Sequence, residues 1–211
     1  MTEADWEAWL DDAVNQFHLS QLMVVGAPTA HGTRAAMSVS QAVRIAAARQ
    51  QFNLGGVCIA ERHTPARSES QRMLQKAQNG CSFFISQAVY SPETTIQMLR
   101  DYAAACQREA LEPKRVVLTF TPFGRSKTLD FIKWLGVRVP SQTEKEITSA
   151  PDPLAKSIEI CCGILRQILT QDFCHQLPLG VNVESVSAYK AEIDGSIALF
   201  HALKEVSQEY C

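Results

Sequence analysis

Nowhere in the 211 residues is there a block of like charges, and Lys+Arg 20 against Asp+Glu 22 leaves a formal net charge of -2. A chain without a basic stripe has nothing with which to track a phosphate backbone, so nucleic acid is not an expected partner. No apolar run approaches the roughly 18 residues of a membrane span, so no membrane is expected either. The N-terminus is acidic (Glu3, Asp5, Glu7, Asp11, Asp12) and lacks both a basic and an apolar segment of the export type, which predicts a cytoplasmic protein. Seven cysteines occur without any C-x-x-C spacing. That excludes a zinc or disulfide framework and predicts reduced thiols, most of them packed as small hydrophobes. G-x-G-x-x-G, Walker A, H-E-x-x-H and G-x-S-x-G are all missing, as is any carboxylate cluster at metal spacing. No metal is therefore expected, and no dinucleotide fingerprint is present.

What the chain does have is 46% hydrophobic residues, enough for one substantial core and one domain over residues 1–211. Five short apolar runs read as strands: Gln21 to Val25, Gly56 to Ala60, Cys81 to Ser86, Arg115 to Phe120, and Leu179 to Val183. Each reads as buried on both faces, as parallel strands covered by helices are. Helical patterns lie between them at Ser38 to Phe52, Ser68 to Asn79, Pro92 to Ala110, Ser126 to Leu135 and Pro153 to Thr170. A further helix, about Ser187 to Val206, closes the chain, and Glu3 to Phe17 forms one before the first strand. Ser91-Pro92 reads as a helix start, with Ser91 as cap, and Asn79-Gly80 as a stop. The βαβα order predicts a parallel α/β sheet with right-handed crossovers, open or closed.

In either architecture ligands bind at the carboxyl ends of the strands. Those ends carry Gly26-Ala27 and His31, then Glu61, Arg62 and His63, then Gln87, then Thr121-Pro122 through Arg125, then Glu184-Ser185. Glu61 and His63 are open to a second reading, a solvated loop pair. Gln87 ends an apolar run, where an amide can both donate to and accept from the edge of a heterocycle.

Gly56 to His63, followed by Glu69 to Gln87, resembles a signature of the methylenetetrahydrofolate reductase family. There, a glutamate- and histidine-bearing loop after a strand leads through a helix with an L-x-x-K-x-x-A-G-A core into a strand ending in I-T-Q. Leu74, Lys76, Asn79-Gly80-Cys81 and Ile85-Ser86-Gln87 stand in the corresponding places. Similarity continues through Thr121-Pro122, Gly136 to Pro140 and Gly180-Val-Asn182. The resemblance implies a (β/α)8 barrel of which about five βα units and an N-terminal helix are present. It also implies flavin chemistry: FAD takes a hydride from NAD(P)H and passes it to 5,10-methylenetetrahydrofolate, giving 5-methyltetrahydrofolate. On that basis Gln87 contacts the folate pterin, and Glu61, His63, Glu69, Arg72, Lys76, Gly26 and Ala27 fall at flavin positions.

Three strands of the barrel, with the catalytic glutamate the family carries there, have no counterpart in this sequence. The two sheet edges so left open call for a partner chain or a second copy. Two functions therefore stay open: a methylenetetrahydrofolate reductase-like oxidoreductase, or a non-catalytic half-barrel, whether a fragment or not, that binds a folate, another pterin or a partner.

Overall fold

The computed structural model describes residues 1–26 and 37–210. Strands β1 (Gln21–Val24), β2 (Asn53–Cys58), β3 (Cys81–Ala88), β4 (Arg115–Phe120) and β5 (Leu179–Val183) form one sheet in the spatial order 1-2-3-4-5, every neighbouring pair parallel. A doubly wound sheet reverses its strand order at a switch point, whereas a barrel does not. This sheet is an incomplete (β/α)8-type barrel, with β1 and β5 at its edges. The helices are α1 (Glu3–Asn15), α2 (Val39–Ala48), α3 (Glu69–Gln78), α4 (Pro92–Arg108), α5 (Ser126–Trp134), α6 (Ser141–Thr148), α7 (Pro153–Leu169) and α8 (Lys190–Gln208).

Local chemistry sets most of these boundaries. At the start of α2 the Ser38 hydroxyl accepts from the Gln41 N–H at 3.2 Å while Gln41 Oε1 accepts from the Ser38 N–H at 3.0 Å, a capping box. Asp152 accepts from the Ala155 N–H at 3.0 Å, with Pro153 in the first turn of α7. Ser91 departs from expectation: its side chain makes no cap bond, and its carbonyl instead accepts from the hydroxyls of Thr94 and Thr95 at 3.2 and 3.0 Å.

Two elements differ from the sequence reading. β2 begins at Asn53 and ends at Cys58, and Ala60–Arg62 is a 3₁₀ turn. Gly55, outside the expected strand, lies within it, and the Phe83 ring takes the space a side chain would need there: a Cβ on Gly55 would sit 2.4 Å from Phe83 Cζ. Helix α6 was not anticipated, because Ile147 is its one buried residue and no apolar stripe announces it.

The main core lies between the sheet and its helices, with Leu22, Leu54, Cys58, Phe84, Val116, Leu118 and Phe120 buried there. On the opposite, concave face Met23, Val57, Phe83, Ile85 and Val117 are only half-buried. A smaller core of Tyr90, Phe123, Leu129, Ile132, Val137, Val139 and Ile147 supports the rim beyond β3 and β4. Cys58, Cys81, Cys106, Cys161 and Cys162 are free and buried. Burial pushes the Cys58 and Cys161 thiols up to about 12, which leaves them inert at neutral pH. Among the described residues no group of His, Cys, Asp and Glu is placed to hold a metal ion, and no helix is long and apolar enough to cross a membrane.

Candidate functional site

The carboxyl ends of β1 and β2 open onto a recess of about 760 Å³ between α2 and α3. Gly26, Glu69, Arg72 and Lys76 line it, together with Arg62 and Arg67. Helical spacing explains the grouping, since Glu69, Arg72 and Lys76 follow one another at i, i+3 and i+7 on one face of α3. Thr64 and Arg67 bond each other's backbones at 3.0 Å in both directions, and this closed turn carries Arg67 to the same mouth. The Glu69 side chain is buried, 3.5 Å from Arg72 Nη1 and 4.0 Å from Lys76 Nζ. Its Oε2 has no hydrogen-bond partner. Lys76 Nζ also donates to the Val57 carbonyl. Four cationic side chains thus line the recess with one carboxylate, and the first turn of α2, at Val39 and Ser40, adds the positive end of a helix. Such a lining favours an anion over a cation.

Glu61 and His63, expected beside those residues, are not among its lining. The His63 ring is fixed at both nitrogens: Nε2 lies 2.8 Å from Asp101 Oδ2 on α4, and Nδ1 accepts from the Glu69 N–H at 3.2 Å. The second bond requires the proton on Nε2 in the neutral ring. His63 therefore closes the first turn of α3 and ties it to α4. Glu61 is half-buried in the 3₁₀ turn, and burial raises its carboxyl above the ordinary value against the opposing effects of a backbone bond and Arg138. Ala27 and His31 lie outside the described residues.

Gln87 lines a second recess of about 200 Å³ at the carboxyl ends of β3, β4 and β5, with Thr121, Glu184 and apolar walls that include Ile132, Leu135 and Val137. Its Nε2 donates to the Leu135 carbonyl at 3.4 Å, a long bond. Leu135 lines both recesses and forms the partition between them.

The segment carrying that partition is positioned from the far end of the chain. Glu192 on α8 is 2% exposed. Its carboxylate accepts from the N–H groups of Gly124 at 2.8 Å and Arg125 at 3.0 Å, and from the Thr128 hydroxyl at 2.7 Å. These are donors at the start of α5, whose own N-cap residue, Arg125, makes no cap bond with its side chain. Arg125 instead lies over the Tyr189 ring at 4.5 Å. Sequence reading missed Arg67 and Glu192. The Thr64-Pro65 turn is a signal for the first; nothing local marks the second.

No family model matches the chain, and no curated protein does. A solved structure does: an uncharacterized protein from Clostridium thermocellum, described as binding two copies of 5-methyl-5,6,7,8-tetrahydrofolic acid. It is 32% identical, with a TM-score of 0.82, over 98% of this chain and 70% of that one. Another, described as the 4-hydroxy-2-oxoglutarate aldolase/2-deydro-3-deoxyphosphogluconate aldolase from TTHB1, aligns over 89% of this chain and 92% of that one at 13% identity and a TM-score of 0.27, too distant to inform the fold. At 32% identity over nearly the whole chain, this protein belongs to the same family as the Clostridium thermocellum protein.

Proposed function

We propose that the chain binds a reduced folate of the 5-methyltetrahydrofolate class at the carboxyl-end rim. The observation that carries this reading is the family relation to a protein that binds two copies of that molecule. The presence of two adjoining recesses, one walled by apolar side chains and holding an amide, the other cationic, supports it. Gln87 contacts the pterin through one donor and one acceptor, and the cations of the larger recess attract the carboxylates of a folate glutamate tail. Gln87→Ala is expected to weaken 5-methyltetrahydrofolate binding about 5- to 150-fold, the equivalent of losing a buried pair of hydrogen bonds. Calorimetric titration of the folded variant measures it, and unchanged affinity removes Gln87 from the site.

A second reading, hydride transfer of the methylenetetrahydrofolate reductase kind with FAD and NAD(P)H, is favoured by one observation. Gly26, Glu69, Arg72 and Lys76, all at positions the resemblance assigns to flavin, line the single larger recess. Its cations fit the diphosphate of a flavin dinucleotide; Arg72 and Lys76 would hold it there, and bound FAD would supply the hydride-transfer chemistry. Folate carboxylates and flavin diphosphate then compete for one recess. Saturating FAD is expected to abolish a second equivalent of 5-methyltetrahydrofolate in the titration, and Arg72→Ala to reduce the flavin retained through gel filtration. FAD that leaves the stoichiometry untouched and washes off both proteins alike sinks the flavin reading and leaves the folate one standing.

A further inference from the structure

The smaller recess holds two polar groups besides Gln87, a buried hydroxyl without a partner and an exposed carboxylate that makes one long bond. Thr121 is 2% exposed, and its Oγ1 has no hydrogen-bond partner. Buried hydroxyls in folded proteins are almost always paired, so an orphan beside a recess points to a partner that arrives with a ligand. The residue is held firmly, since its carbonyl accepts from the Tyr90 hydroxyl. Glu184 is anchored through its backbone N–H to the Phe120 carbonyl at 3.0 Å, immediately beyond β5. Its carboxylate accepts from Asn182 Nδ2 at 3.3 Å, and Asn182 is in turn steadied by the Thr119 hydroxyl at 3.4 Å. The side chain is exposed, so beyond this one long bond its oxygens face water and are open to a ligand's donors.

We propose that Glu184 is the specificity-determining residue of this recess, accepting from the adjacent ring N–H and amino group of an amino-pyrimidine edge, with the Thr121 hydroxyl as a further contact to the same ring. This rests on the folate reading above. Two carboxylate oxygens match two neighbouring donors on a planar ring, in the way they match a guanidinium. The amide of Gln87 supplies the mixed donor and acceptor that the rest of the ring requires. A ring bearing a carbonyl where a pterin has its amino group turns an acceptor toward the carboxylate, and the two repel. The recess thus selects an amino-oxo pteridine and rejects a dioxo one, the isoalloxazine of a flavin included.

The probes are 5-methyltetrahydrofolate, pterin and its 2-oxo counterpart lumazine, titrated against the whole chain. Wild-type protein is expected to favour pterin over lumazine about 10- to 100-fold, and Glu184→Gln, which replaces one oxygen by a donor, to lose that preference while binding 5-methyltetrahydrofolate about tenfold more weakly. Thr121→Val removes an unpaired hydroxyl, so it is expected to keep or raise the melting temperature of the free protein while weakening folate about fivefold. Glu184→Gln with wild-type affinity and wild-type preference overturns the assignment; if Gln87→Ala weakens binding in the same series, the folate reading survives without it. Wild-type protein that binds neither 5-methyltetrahydrofolate nor pterin overturns both.

Discussion

Glu192→Ala is expected to lower the melting temperature by roughly 10 °C, the consequence in a chain of this size of losing about 3 kcal/mol. The carboxylate satisfies two backbone N–H groups and a hydroxyl at the start of α5. Alanine leaves all three donors without a partner in a place that water does not easily reach, and an orphaned buried group costs about 1–3 kcal/mol. The effect carries a pH signature. Burial by itself raises the Glu192 carboxyl, but the neighbouring polar groups of Ser187, Gly124, Thr128 and Arg125 together outweigh it, and the group is held below the ordinary glutamate value. A depressed folded value means that the stabilisation is complete above the unfolded carboxyl's pKa and disappears as the pH falls through the folded one. Urea melts across the acid range should therefore show wild type and Glu192→Ala converging as the pH drops. Parallel curves would mean that Glu192 does not act as a charged cap. Because α5 leads directly into Leu135, the partition between the recesses, the same variant should also bind 5-methyltetrahydrofolate more weakly at neutral pH.

The second large effect is expected at Gly80, in the turn between α3 and β3. Its φ of +114° is one that L residues rarely adopt, and a Cβ there would lie 2.5 Å from Ala47 Cβ on α2. Ala47 has no flexible side chain to move aside, so Gly80→Ala must either strain the turn or push α2 away from it. Backbone strain of this kind costs about 1–3 kcal/mol, and the clash adds to it. Gly136→Ala is the matched control: its φ is +83°, but nothing lies within 4 Å of the added Cβ. Denaturant midpoints should fall further for Gly80→Ala than for Gly136→Ala, and equal losses would dismiss the Ala47 contact. Since α2 and α3 flank the cationic recess, Gly80→Ala should also disturb anion binding there.

Gly80 shows how much of the site could be read in one dimension. Asn79-Gly80 marks the stop of α3 from sequence alone, which places β3, and with it Gln87, at a strand's carboxyl end. The face of α3 that carries Glu69, Arg72 and Lys76 into one recess follows from helical spacing in the same way. His63 shows the limit. Its position after β2 was legible, but the direction of its ring depends on Asp101, 38 residues away on a different helix. Glu61, two residues earlier, likewise has Arg138 as its facing charge.

By itself the sequence determined the order of the strands and of the helices other than α6, the parallel sense of the sheet and most of the residues on its rim. Hydrophobic period, proline and glycine act over a few residues, and crossover handedness then leaves few topologies. Only the tertiary structure decided which rim residues share a recess, that Gly55 lies within β2 beneath the Phe83 ring, and that a carboxylate 68 residues along the chain caps the start of α5. Those outcomes depend on side chains meeting across elements, where packing and the pairing of buried polar groups, rather than local preference, choose the partner.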